Sequence, residues 1–214
     1  MANKKRDSKN TRENPSYPEM DKVTIYLKMG CHFIDTGEPE LAMDAFTRSI
    51  ELDPGNARAY DLRAIAYGNN YEWDESIADC NRTINIEPEY EGGYNNRGLA
   101  FYKLERFDEA MEDYNRAIEL APRVAIFYNN RGLVHFWKGN YENAISDYNM
   151  ALKIAGKTDP VMQDLHSQRG EAYASLGMYK KAIADFDRAL EIAPCDITAY
   201  AYRLWTIEIT RDYQ

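Results

Sequence analysis

Arginine stands at positions 63, 97, 131 and 169, and sixteen residues after each comes an aspartate: Asp79, Asp113, Asp147 and Asp185. A guanidinium offers a planar fork of donors that fits both oxygens of one carboxylate and can still reach a second acceptor. Nearer the N-terminus, Met29 and Ala45 replace both members of the pair together, and a fifth arginine, Arg203, continues the series. Charges that appear and vanish together behave as partners. A buried charge robbed of its partner costs roughly 3–5 kcal/mol. Structural ion pairs are therefore expected between Arg63 and Asp79, Arg97 and Asp113, Arg131 and Asp147, and Arg169 and Asp185. A stronger expectation is a ladder in which each aspartate also faces the next arginine, ending on Arg203. The alternative is a set of solvated helix-face charges, with the partners exposed and more than about 4 Å apart.

Other chemistry is sparse. Cys31, Cys80 and Cys195 are far apart, as are His32, His135 and His166, so no metal-ligand spacing forms and no metal or cofactor is expected. The odd, scattered cysteines read as buried structural thiols in a reducing compartment, and the expected location is cytoplasmic. No nucleophile–base pair is visible, and "EGGYNN" is not a phosphate loop because no strand precedes it. The chain reads as no enzyme. Its net charge is −9, split between a basic segment 1–20 at +2 and a remainder at −11. An acidic body repels phosphate backbones, so no nucleic acid is expected. No apolar run reaches the roughly 18 residues that cross a bilayer, so membrane insertion is not expected. Residues 1–20 lack the apolar middle of a secretory signal and read as a flexible basic tail.

The arginines sit in a longer pattern. "YNNRGL" occurs at 94–99 and again at 128–133, 34 residues apart. Small residues Gly30, Ala64, Gly98, Gly132 and Gly170 keep step with Tyr26, Tyr60, Tyr94, Tyr128 and His166, and with Phe46, Cys80, Tyr114, Tyr148 and Phe186. Prolines at 54, 88, 122 and 194 close the units. In "YNNRGLAFYKL", Tyr94, Gly98 and Phe101 fall on one helical stripe, and "FDEAMEDYNRAIEL" repeats the pattern with Phe107, Ala110, Tyr114 and Ala117. Two such helices with a short turn between them lie antiparallel. One pair cannot bury both its faces, so pairs must stack.

The combined series resembles the tetratricopeptide (TPR) repeat family. It implies an all-α, right-handed α-solenoid of antiparallel helix pairs: five units at 23–56, 57–90, 91–124, 125–158 and 163–196, then a capping helix at 197–214. Unit four departs from the pattern, with Gly156 in place of proline. "AGKTDPVMQDL" adds four residues before unit five, about one turn, so a longer first helix with a Thr-Asp-Pro start is expected there.

The resemblance also implies a role. In this family the first-helix faces opposite the packing stripe line a concave surface that holds a partner's peptide or helix. Unit one offers Leu27, Lys28, Cys31 and Asp35 there, and unit two Arg58, Asp61, Leu62 and Ile65. The expected groove centre is Asn95, Asn96, Leu99, Tyr102 and Lys103 with Asn129, Asn130, Leu133, Phe136 and Trp137. Asn96 and Asn130 would bond the partner's main chain, and Phe136 and Trp137 would serve either as anchors or as packing. One subclass grips a chaperone's terminal carboxylate with a cationic set, but Leu27, Cys31, Leu62, Gly92 and Asn96 stand at those places, which disfavours that adaptor role. The expected function is a non-catalytic scaffold that binds another protein, with a peptide- or metabolite-responsive sensor as the alternative.

Overall fold

Five antiparallel helix pairs and a further helix follow one another along the chain. The computed structural model describes residues 21–156 and 161–212, and among these no strand occurs. The pairs are α1 (Lys22–Asp35) with α2 (Pro39–Leu52), α3 (Ala57–Asn69) with α4 (Trp73–Ile86), α5 (Glu91–Lys103) with α6 (Phe107–Leu120), α7 (Ala125–Trp137) with α8 (Tyr141–Ile154), and α9 (Val161–Ser175) with α10 (Tyr179–Ile192). The last helix is α11 (Ile197–Asp212). The expected tail at 1–20 and the Thr-Asp-Pro start at 158–160 lie outside the described residues. At 15 residues, α9 is longer than the 13-residue α3, α5 and α7.

Each helix packs on the helices before and after it in sequence. First helices of successive pairs also touch, α1 on α3, α3 on α5, α5 on α7 and α7 on α9, whereas among the described residues successive second helices do not. Elements that touch across a repeat lie on the inside of the bend, so the first helices line the concave side of the solenoid.

Volume complementarity holds each pair together. A Cβ added to Gly98 would lie 2.9 Å from the Tyr114 ring, and at Gly132 and Gly170 it would lie 2.7 Å from Tyr148 and Phe186. Those rings, like Phe46 opposite Gly30, are fully buried. Unit two has Ala64 instead of glycine, and Cys80 instead of the ring. The extra methyl is matched by a smaller partner, which keeps the interior close-packed. Of the three cysteines only Cys80 is fully buried. Cys31 is half-buried and Cys195 exposed, which corrects the reading of three buried thiols.

The turns inside the pairs share one geometry. Gly37, Gly139 and Gly177 have φ of 76°, 76° and 70°, and the equivalent Tyr71 and Glu105 adopt 63° and 58°. The following backbone N–H folds back onto the first helix, as in Glu72 N to Tyr67 O at 2.9 Å and Arg106 N to Phe101 O at 2.8 Å. Left-handed backbone suits glycine and costs other residues roughly 1–2 kcal/mol. Glu105→Gly is therefore expected to stabilise the chain by about 1 kcal/mol. Urea unfolding followed by circular dichroism reads this directly, and an unchanged or lowered midpoint would contradict it.

Candidate functional site

The arginine series forms the seam between pairs. Arg63 donates from Nε and Nη2 to Asp79 at 2.7 and 2.8 Å. Arg97 does the same to Asp113 at 2.8 and 2.6 Å, Arg131 to Asp147 at 2.8 and 2.7 Å, and Arg169 to Asp185 at 2.7 and 2.6 Å. All four aspartates are buried. Flanking rings cover the guanidinium groups: Tyr60 and Tyr67 lie against Arg63, Tyr94 and Phe101 against Arg97, Tyr128 against Arg131 and Tyr173 against Arg169. The paired carboxylates hold the arginines' pKa above its ordinary value for Arg63, Arg97 and Arg131.

A ladder exists, but it does not run through the aspartates as expected. The remaining Nη1 reaches back to the preceding pair and bonds the residue two positions after that pair's aspartate site. These acceptors are Thr47 at 2.9 Å from Arg63, Asn81 at 2.6 Å from Arg97, Asn115 at 2.8 Å from Arg131 and Asn149 at 2.6 Å from Arg169. Arg203 likewise bonds Asp187, not Asp185. The arginine's own fork engages both aspartate oxygens, and at Asp185 a second contact on Oδ1 comes from His166 Nδ1 at 3.0 Å, while the neighbouring arginine uses a separate acceptor.

On the concave side the amides serve one another. Asp61, 4% exposed, accepts from the Tyr90 hydroxyl at 2.9 Å and from Asn96 Nδ2 at 2.7 Å. Asn95 Nδ2 donates to Asn96 Oδ1 at 3.2 Å, and Asn130 Nδ2 donates to Asn95 Oδ1 at 2.9 Å. One relay thus runs across three units, from Asn130 through Asn95 and Asn96 to Asp61. Asn129 and Asn130 are 5% and 9% exposed, which corrects the expectation that Asn130 stands free for a partner's main chain. The relay does not extend into unit five. Between α7 and α9 the buried oxygens of Asn129 (Oδ1), Ser167 (Oγ) and Gln168 (Oε1) have no hydrogen-bond partner among the described residues. Burial pushes the carboxyl groups of Asp61 and Glu171 above the usual carboxylate range, partly offset by Asn96, Tyr90 and Arg58 at Asp61 and by the Tyr202 hydroxyl at Glu171.

The aromatic positions divide. Phe136 packs against Tyr141 with ring centroids 5.4 Å apart and joins the core around Tyr148. Tyr102 packs over Ala110, Tyr114 and Val134 beside Phe107. Trp137 stays 62% exposed and, with Tyr102, Lys103 and Phe107, lines a recess of 190 Å³ at the turn edge. Leu99 and Leu133 are half-buried, and Lys103 is exposed. Larger recesses lie in units one and two, where sequence reasoning placed groove positions but not the centre. One of 400 Å³ is lined by Leu27, Lys28, Cys31, His32, Arg58 and Leu62, and an adjoining one of 530 Å³ by Arg58, Asp61, Leu62, Ile65 and Tyr90. Asp35 and Glu87 also line them, so their signal is the pair of leucines Leu27 and Leu62 set among charges of both signs. Among the described residues no group of three or more His, Cys, Asp or Glu could hold a metal ion, and no helix is long and apolar enough to cross a membrane.

Three family models, each described as Tetratricopeptide repeat, match residues 23–56, 93–124 and 123–194, together more than half of the chain. No curated protein matches. Solved structures share the fold at low identity. A thermophilic TPR protein of Thermus thermophilus is 22% identical over 86% of this chain and 98% of its own, with a TM-score of 0.71. A chain of the APC/C hetero-tetramer Cut9–Hcn1 is 20% identical over 88% of this chain and 37% of its own, at 0.80. YrrB, described as a TPR protein with an unusual peptide-binding site, is 22% identical over 82% and 89%, at 0.63.

Two outcomes follow from the buried charges. Arg131→Ala strands Asp147 and is expected to cost about 3 kcal/mol, near the low end for buried pairs because the Arg131 side chain is 23% exposed. Adding Asp147→Ala should recover part of that loss in urea unfolding, whereas full additivity would contradict the pairing. For Asp61 the folded-state pKa is raised, so its penalty is present at neutral pH and is relieved as pH falls through that raised value. Asp61→Asn keeps an acceptor and is expected to be as stable as the parent, or more so, at neutral pH. Its advantage should shrink toward the acid range, and a stability gap that does not change with pH would contradict the reading.

Proposed function

As the chain belongs to the tetratricopeptide repeat family, we propose that it is a non-catalytic scaffold whose concave face binds a peptide or helical segment of another protein. The observation that carries this reading is the pair of adjoining recesses on the first-helix side, where Leu27, Leu62 and Ile65 supply apolar floor between Lys28 and Arg58. From there the partner runs across Leu99 and Leu133 towards Lys103 and the exposed Trp137. Asn95, Asn96, Asn129 and Asn130 form the floor beneath it, and Tyr102 and Phe136 brace that floor from behind. The structures of YrrB, with its peptide-binding site, and of Cut9 assembled with Hcn1 are consistent with such use of this fold.

Charge is mixed in the N-terminal recesses, where Lys28 and Arg58 stand beside Asp35, Asp61 and Glu87. A partner with apolar anchors and side chains of both charges matches this surface.

The test uses random peptides displayed on phage, selected on the full chain and then measured by calorimetry. Leu62→Asp and Trp137→Ala are each expected to weaken the selected peptides tenfold or more, about 1.4 kcal/mol. Leu41→Ala, on the exposed face of α2, should leave affinity unchanged. Failure to select any peptide, or equal binding by all three variants, would count against the groove.

A further inference from the structure

One ring position in each repeat stands beside the arginine fork. Tyr67, Phe101 and Tyr173 fill it in units two, three and five, with the guanidinium carbon 5.7, 5.9 and 5.9 Å from the ring centre. Unit four has His135 there. A tyrosine or phenylalanine offers the guanidinium an electron-rich face throughout the neutral and mildly acidic range, whereas an imidazole can become a second cation.

The surroundings suit only the neutral ring. The His135 side chain is 19% exposed, and its Nδ1 is buried without a hydrogen-bond partner among the described residues. Nε2 lies 3.9 Å from Asp147 Oδ2, beyond hydrogen-bond reach, and that carboxylate is already held by Arg131 at 2.8 and 2.7 Å. The charges that act on the ring are Asp147 from α8 and Arg131 and Lys138 from α7. From α6 come Asn115 and Asp108, bonded to Arg131 and Lys138 respectively, and among the described residues no charge of α5 or α9 bears on it. In unit two Glu72 and Glu75 act on Tyr67, but Asn140 and Asn143 stand at their places in unit four. An imidazolium has two N–H donors to satisfy. Here one would be buried without an acceptor, and the other would compete with Arg131 for Asp147. The other two histidines differ: His166 Nδ1 has Asp185 Oδ1 at 3.0 Å, and His32 is exposed.

We propose that His135 makes unit four the acid-labile joint of the solenoid, so that protonation of this one ring opens the α7–α8 pair while the pairs around it hold. Burial keeps the folded ring's pKa below its ordinary value; Asp147 offsets part of that shift, and Arg131 and Lys138 add to it. Stability from this site is therefore complete above the unfolded value of about 6.5. It is lost as pH falls through that value, until the folded ring itself takes the proton. Pairs can respond separately because each is tied only to its neighbours. Leu133 and Trp137 also belong to α7, so acid loosens the pair that the proposed groove crosses. That consequence rests on the groove reading; the pH response does not.

Hydrogen exchange of the full chain without any peptide tests the response region by region, with rates corrected for the intrinsic pH dependence of amide exchange. Between pH 7.5 and 5.5 the opening constant of α7 and α8 should rise relative to that of His135→Phe. The limit is about tenfold, set by one proton with an unfolded pKa of about 6.5. His135→Tyr should behave as the phenylalanine variant does, since both residues already serve at this position as Phe101 and Tyr67. His32→Gln should retain the parent's response. Titration of the ring by NMR should place the His135 pKa below the ordinary value. Equal pH dependence in the parent and both ring variants, or extra opening spread evenly over units two to five, would overturn the proposal. So would loss of the response in His32→Gln, or a His135 pKa at or above about 6.5. With no peptide present, a failed groove leaves each of these outcomes unaltered.

Discussion

A buried guanidinium that grips one carboxylate with two nitrogens and reaches back with a third fixes most of this architecture. The fork ties the two helices of a pair, and the third nitrogen ties that pair to the one before it. Both contacts come from one side chain, so the angle between helices and the angle between repeats are set together. The surrounding tyrosines are apolar walls for the stem and electron-rich faces for the charge. A methionine at the same place, as in unit one, can fill the volume but cannot specify the angle.

Much of this was legible in the sequence, because a repeat turns a spatial rule into a spacing. Gly98 and Tyr114, or Ala64 and Cys80, read as packing partners from period and size alone. The sixteen-residue interval marked which carboxylate an arginine could reach. The interval could not show that the neighbour's bond would go to Asn81, Asn115 and Asn149 and not to the carboxylate. Those asparagines sit on exposed surface and look like ordinary solvated residues. The positive-φ turns were hidden for the same reason, since Tyr71 and Glu105 stand where glycine would have announced them.

The concave surface shows the limits of reading faces from a helical wheel. Asn95, Asn96, Asn129 and Asn130 do point inward, but neighbouring repeats curve closely enough for one amide to reach the next. Inward-facing polar groups then become floor, and what remains for a partner is what the curvature leaves uncovered. Phe136 and Trp137 are adjacent in sequence and alike in chemistry, yet one fills the gap under Tyr141 and the other stands in solvent. Consecutive residues of a helix project about 100° apart, and the turn after α7 covers only one of those two directions.

Because helix contacts among the described residues run only within a pair or to the adjoining pair, the solenoid has no centre on which its folding depends, and its cooperativity is that of a one-dimensional chain. The seam is strongest from unit two to unit five. Unit one, with Met29 in place of arginine, is joined to the rest through packing and the Arg63–Thr47 bond, with no ionic fork of its own. Fraying should therefore be directional: α1 and α2 can detach while the remaining pairs keep their shape. That end holds the recess around Leu27, Lys28 and Arg58, so the local opening equilibrium of one weakly tied repeat becomes a term in whatever affinity that recess displays.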